Sequence, residues 1–295
     1  MTARTTWVGD LAEPSLVSGV SGAVLGSIHP RAGDDGGRGL LALIAAGDLD
    51  GDGAGDLVTY DRSPYGLSEW PGPYEGEAAP VATLVLSDPV NVRPVDVTGD
   101  GVDELLIGHG VGAWVAEVPA TGEVPLRDAT LAHYTEDDIL SGIGAGDLDG
   151  DGAVDVVLGD YSASTWVTDA TGEVDLRAAA FAELTTTSPT VGLDFEVGDF
   201  DGDGQDDLAQ AGSLSGTSGS DPARPLWVVA GPLQGVVDLD LVGTVRDIGA
   251  GNRYADSLTA GDLDGDGADE LLVGGLVGSS WSNDRTETVW VLLAP

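Results

Sequence analysis

Short apolar runs bounded by Gly, Pro and Asp recur along the whole chain, while apolar spacing of the helical kind is nearly absent. Runs of about five to seven residues with turn residues at both ends predict strands. They come in sets of four. The first strand of a set ends in small residues, as in Ala45-Ala46-Gly47, Gly144-Ala145-Gly146 and Thr259-Ala260-Gly261. Small side chains suit an innermost strand, where neighbouring sheets crowd around an axis. The second, at 56–60 or 270–274, is apolar after its acidic first residue, which predicts burial on both faces. The third carries a tryptophan. The fourth is predicted as an outer strand over 124–131, 174–181 and 236–242.

Between the first and second strands of each set lies an aspartate-glycine segment. Gly-Asp-Leu-Asp-Gly-Asp-Gly occurs at 47–53, 146–152 and 261–267, and close variants start at Val95 and Gly198. The first aspartates, Asp48, Asp96, Asp147, Asp199 and Asp262, are spaced 48 to 63 residues apart. A period near fifty with four antiparallel strands per period predicts an all-β chain, a β-propeller of about five four-stranded blades. Trp7, Trp70, Trp114, Trp166, Trp227 and Trp290 mark the same units, with one aspartate segment between each successive pair. Their fixed place in one strand per unit predicts packing between blades. No linker or composition shift divides residues 1–295, so a single domain is expected. The last unit, 258–295, lacks a fourth strand, and residues 15–28 read as one. Joining the two would close the ring and remove its edges.

The aspartate segments carry the clearest chemistry. Carboxylates stand at positions one, three, five and nine: Asp48, Asp50, Asp52 and Asp56; Asp147, Asp149, Asp151 and Asp155; Asp199, Asp201, Asp203 and Asp207; Asp262, Asp264, Asp266 and Glu270. The second segment has Asp96, Asp100 and Glu104 but Thr98 at position three. Alternate acidic residues in a tight turn converge on one point, where like charges repel unless a cation sits among them. All-oxygen ligands in a flexible loop fit Ca2+ better than Mg2+, which takes fewer protein ligands and keeps its waters. A plain Asp-Gly turn does not need a carboxylate at every second position. An EF-hand needs a bidentate Glu at position twelve. That position holds Thr59, Ile107, Leu158, Gln210 and Val273 instead. Position seven is expected to give a backbone carbonyl, from Ala54, Val102, Ala153, Gln205 and Ala268, with the preceding glycine permitting the turn. Five structural Ca2+ sites follow, the second being the weakest because a hydroxyl replaces a carboxylate.

Charge narrows the partners. The formal net charge is −40, from 51 acidic residues against 11 arginines and no lysine, which excludes nucleic acid as a partner. Five Ca2+ ions would change −40 only to −30, so most of the acidity is surface charge. With 42% hydrophobic residues the chain is able to bury a core, and no apolar stretch approaches a membrane span. Zero cysteines exclude a disulfide framework and thiolate chemistry. The first residues contain no apolar run of signal-peptide length. Loops of this type with the affinity of extracellular modules need near-millimolar Ca2+, so the expected location is extracellular or at the cell surface, a leader having been removed.

The last unit resembles a known family. Gly251-Asn252-Arg253-Tyr254-Ala255-Asp256-Ser257-Leu258-Thr259-Ala260 leading into the segment at Gly261 is similar to the FG-GAP repeat of integrin alpha-subunit propellers and their bacterial relatives. Tyr254 and Ala255 stand for the Phe-Gly pair, and Leu272-Val273-Gly274-Gly275 stands where Gly-Ala-Pro would be. The other units keep the loop and the strand after it. The resemblance implies a β-propeller with Ca2+ loops between the first two strands of each blade. Family propellers commonly have seven blades, whereas five loops are present here.

Catalysis has little support. His29, His109 and His133 are isolated in sequence, and no His-Glu-x-x-His or Gly-x-Ser-x-Gly occurs. The regularly spaced carboxylates are taken by the metal, so no enzyme is expected. Function is expected on irregular loops over 61–73, 211–224 and 276–286, which would bind a protein or glycan partner. In a lectin, Trp281, Trp70 or Tyr74 would supply stacking faces. A polysaccharide-active enzyme would need further carboxylates converging with an Arg or His.

Overall fold

The apolar runs form strands, and among the described residues helix is confined to three single turns. The computed structural model describes residues 15–17, 24–28, 42–62, 65–73, 76–87, 89, 91–110, 112–136, 140–160, 164–187, 190–214, 226–242, 244–246, 253–277 and 286–292. Trp7, His29, Tyr74, Trp281 and most of the loops at 211–224 and 276–286 lie outside them. The chain is all-β and divides into two compact units, one drawn from 1–107 and 114–131, the other from 108–113 and 132–295.

In the first unit the strands are β1 (Ser15–Val17), β2 (Val24–Ile28), β3 (Ala42–Gly47), β4 (Asp56–Arg62), β5 (Tyr65–Trp70), β6 (Gly76–Ala78) and β7 (Ala82–Val85). They continue with β8 (Asn91–Val95), β9 (Glu104–His109), β10 (Gly112–Ala116) and β11 (Gly122–Pro125), which runs into helix α1 (Leu126–Ala129). One sheet has the order β11-β7-β5-β4-β3, and a smaller one β1-β2-β6. Strands β3, β4, β5 and β7 form an antiparallel meander. β11 then adds to β7 in parallel, as β6 adds to β2. The core joins Leu49, Val58, Tyr60, Leu67, Leu84, Val92, Leu105 and Ile107.

From β12 (Thr130–Thr135) onward the second unit contains β13 (Leu140–Gly146), β14 (Asp155–Asp160), β15 (Ser164–Thr168), β16 (Gly172–Asp175), α2 (Leu176–Ala179) and β17 (Ala182–Thr185). It goes on through β18 (Thr190–Gly198), β19 (Asp207–Leu214), β20 (Leu226–Val229), β21 (Gly235–Asp238), α3 (Leu239–Val242) and β22 (Thr244–Arg246). The last strands are β23 (Arg253–Gly261), β24 (Glu270–Val277) and β25 (Thr286–Leu292). Its sheets run β13-β14-β15-β17-β21, β18-β19-β20-β22 and β23-β24-β25, and β12 pairs with β16 in parallel. One apolar cluster gathers Leu148, Val157, Val167, Leu184, Phe195, Leu208, Trp227 and Leu239; a second holds Phe200, Ala209, Leu226, Leu271 and Val273.

Two expectations are corrected. The sheets are not purely four-stranded and antiparallel: in each unit a five-stranded mixed sheet carries a parallel strand, β11 or β21, on its edge. The segments 124–131, 174–181 and 236–242, read as outer strands, pass through the turns α1, α2 and α3. Leu176 and Leu239 at the start of two of these turns are fully buried, so one apolar anchor replaces the alternation of a strand. A four-residue turn is too short to register as helical periodicity. The fourth strands of these sets follow the turns, at Thr130–Thr135, Ala182–Thr185 and Thr244–Arg246.

Trp70, Trp166 and Trp227 are buried, and the Trp70 indole donates to Thr59 Oγ1 at 2.9 Å. First strands pack side by side, β3 beside β8 in one unit and β13 beside β18 beside β23 in the other. A Cβ added to Gly144 would lie 3.1 Å from Phe195 Cβ, which is why small residues end these strands. No helix among the described residues is long and apolar enough to cross a membrane.

Candidate metal centres

Each aspartate segment links a first strand to a second: β3 to β4, β8 to β9, β13 to β14, β18 to β19 and β23 to β24. All five fold alike. The glycines at positions four and six have positive φ, for example 78° at Gly150 and 88° at Gly152, a conformation that a side chain makes costly. Their N–H groups are thereby turned inward to the first aspartate. In the third loop Gly150 N donates to Asp147 Oδ1 at 2.9 Å and Gly152 N to Oδ2 at 3.0 Å. Asp48, Asp96, Asp199 and Asp262 accept the same two bonds. Position five accepts the N–H of position seven throughout, from Asp52 with Ala54, Asp100 with Val102, Asp151 with Ala153, Asp203 with Gln205 and Asp266 with Ala268. Position nine reaches back from the second strand to the N–H of position two, at 2.7 to 3.0 Å across the five loops. Thus the chain closes each loop before any ligand is considered.

Carboxylate oxygens converge in four loops, within 4.8 Å of one another. The groups are Asp48, Asp50 and Asp56; Asp147, Asp149 and Asp155; Asp199, Asp201 and Asp203; Asp262, Asp264 and Glu270. Asp52, Asp151, Asp207 and Asp266 belong to the same loops but not to these groups. In the second loop no such group forms among the described residues. There Thr98 Oγ1 donates to Glu104 Oε1 at 3.2 Å, so position three and position nine bond to each other.

The electrostatics of these carboxylates is that of acids without enough positive charge nearby. Burial pushes the Asp155 carboxyl up to about 6, helped by Asp149 and Asp147 and opposed by the N–H groups of Leu148 and Asp149. Asp207 rises to about 6 for the same reason, with Asp201 and Asp203 adding to it. Asp56 and Glu104 are raised by burial as well. Asp155 is fully buried, and its Oδ1 has no hydrogen-bond partner. An orphaned buried carboxylate oxygen beside two further carboxylates fits a hard cation.

Several relevant groups were not legible in the loop pattern. Asp56 Oδ1 and Asp207 Oδ1 accept the N–H of Gly72 and Gly231, each in a Gly-Pro step after the tryptophan strand. The step is visible in sequence; its reach back to position nine is not. Glu69, buried in β5, is pushed up to about 7 by burial and by the charges of Asp56 and Asp50. Its signal was a lone acid in an apolar strand. Position two is buried in three loops, as Leu49, Leu148 and Phe200, but Leu263 in the last is 60% exposed. Of the aromatic residues expected to offer stacking faces, Trp70 is completely buried and unable to meet a ligand, whereas Tyr65 at the start of the same strand is exposed. His133 is not isolated in space, its Nδ1 lying 3.0 Å from Glu173 Oε2.

No protein-family model matches the chain, and no curated protein matches it. Among solved structures it is similar to BBS1N in the crystal structure of its complex with ARL6DN, soaked with lead, at 14% identity and a TM-score of 0.48, covering 87% of this chain and 68% of that one. It is also similar to the V. cholerae biofilm matrix protein Bap1, at 16% identity and a TM-score of 0.45, covering 98% of this chain and 48% of that one.

Proposed function

We propose that the chain is a Ca2+-stabilised β-propeller of about five blades that serves as a binding and interaction scaffold, outside the cell or at its surface. One observation carries the metal: carboxylate oxygens from three side chains converge in four loops of one sequence pattern, from positions one, three and nine in three of them and from one, three and five in the fourth. The ligands are the carboxylates at positions one, three, five and nine with the carbonyl of position seven, and the second loop is the weakest site. The ion, when bound, cancels the mutual repulsion of these groups and cross-links the ends of two strands. At about a hundred times its dissociation constant, Ca2+ stabilises the folded state by about 2.7 kcal/mol per site. A propeller is supported by the repeated meander of four strands and by first strands so closely packed that a side chain at Gly47, Gly146 or Gly198 would collide with its neighbours.

The role is recognition without turnover. A net charge of −40 repels phosphate-bearing ligands and favours a neutral or cationic protein partner on the loops where the repeats differ. The burial of Trp70 weighs against a glycan platform on the 61–73 loop. The test is thermal unfolding in millimolar Ca2+ and in EDTA. A large rise of the midpoint with Ca2+, absent with Mg2+, is expected; equal midpoints would sink the proposal.

A further inference from the structure

Position eight of the second, fourth and fifth loops, which no ligand set uses, joins each of them to the loop before it. Asp103 Oδ2 accepts the backbone N–H of Asp48 at 2.9 Å, and Asp103 N donates to the Asp48 carbonyl at 2.8 Å. Asp206 Oδ2 accepts the N–H of Asp147 at 2.8 Å. Asp269 Oδ2 accepts the N–H of Asp199 at 3.2 Å and Asp269 N donates to its carbonyl at 2.7 Å. In every case the carboxylate directly precedes the ninth residue of its own loop, Glu104, Asp207 or Glu270, and grips the first residue of the loop before it.

The residue preceding the gripped aspartate is adapted to this. A Cβ on Gly146 would lie 2.7 Å from Asp206 Oδ2, one on Gly198 2.6 Å from Asp269 Oδ2, and one on Gly47 would collide with Asp103 Oδ2. The second loop begins instead with Val95-Asp96, and the third has Val154 at position eight. Neither the glycine nor the carboxylate of the clasp is present there. Asp103 and Asp206 are each raised by burial and held down in part by the N–H they accept.

We propose that Asp103, Asp206 and Asp269 are positioning residues that couple cation binding in neighbouring loops, first with second, and third with fourth with fifth. The inference rests on the cation reading above. An ion that orders position nine of one loop orders position eight beside it, and through the clasp orders position one of the preceding loop. Linkage requires the effect to run both ways.

The test is hydrogen exchange followed by mass spectrometry during a Ca2+ titration of the full chain, reading peptides over 147–155 and 48–56. In D206A the Ca2+ midpoint for protection of 147–155 should rise about fivefold while that of 48–56 stays put. D201A, which removes a ligand of the fourth loop and leaves Asp206 in place, should raise the 147–155 midpoint too. D206N keeps an acceptor oxygen and should titrate close to the wild type. Equal shifts in D206N and D206A would assign the effect to charge and overturn the clasp. An unchanged 147–155 midpoint in D206A would overturn it with the cation sites intact. If no loop of the wild type gains protection with Ca2+, both readings fail together.

Discussion

The second and third loops share one backbone and differ in what their third and ninth residues face. In the third, Asp149 and Asp155 converge with Asp147, and a buried oxygen of Asp155 has no partner. In the second, Thr98 and Glu104 bond to each other, and the repulsion that a cation would relieve is already reduced. A hydrogen bond inside the loop thus competes with a ligand from outside. The lesson is that loop closure and cation affinity are separable: backbone N–H groups close both loops, and only the surplus of charge distinguishes them.

The comparison breaks most visibly at Asp155. D155N keeps an acceptor for Leu148 N–H but removes the charge, so in saturating Ca2+ it should lose about 2.7 kcal/mol, one site's worth. In EDTA at pH 8 it should instead be more stable than the wild type, because an unpaired buried carboxylate is gone. Urea unfolding in the two buffers reads both signs; the same sign in each would refute the account. Next in size, Asp264→Ala should lower the thermal midpoint in Ca2+ far more than Thr98→Ala. The latter loses one partly exposed hydrogen bond worth about 1 kcal/mol or less. Similar midpoints for the two would contradict the ligand assignment. Thr98→Asp should give the second loop the charge it lacks, and calorimetric titration should then show one more tight Ca2+ site than the wild type.

The remaining expected effect is on pH. Asp155 and Asp207, at about 6, and Glu69, at about 7, keep protons in the folded state that the unfolded chain has already released near pH 4. Folding therefore binds protons in this range, and stability in EDTA should fall as pH rises from about 4 to about 7. With Ca2+ the ionised carboxylates are the favoured form, so stability should rise over the same range. Melting curves at stepped pH, with and without Ca2+, test the inversion.

Much of the architecture was written locally. Positions one to nine lie on one short stretch, so the alternation of Asp and Gly at Asp147 to Asp155 specified both the turn and the convergence of its side chains. Strands β4, β14 and β24 were legible as apolar runs beginning at an acid. The turns α1, α2 and α3 were not, since four residues hold no period and the buried Leu176 and Leu239 of the last two imitate a strand position. The parallel pairing of β11 with β7 and of β21 with β17 was equally hidden, because it depends on register between segments far apart in the chain.

By itself, then, the sequence determined the all-β class, the repeat and the places where carboxylates gather, because those depend on spacing over a few residues. The tertiary structure alone decided which of those carboxylates lose water and which oxygens find an N–H. It also decided that Asp103, 55 residues from Asp48, closes on it. Burial and partnership are properties of segments brought together by folding, and no local pattern contains them.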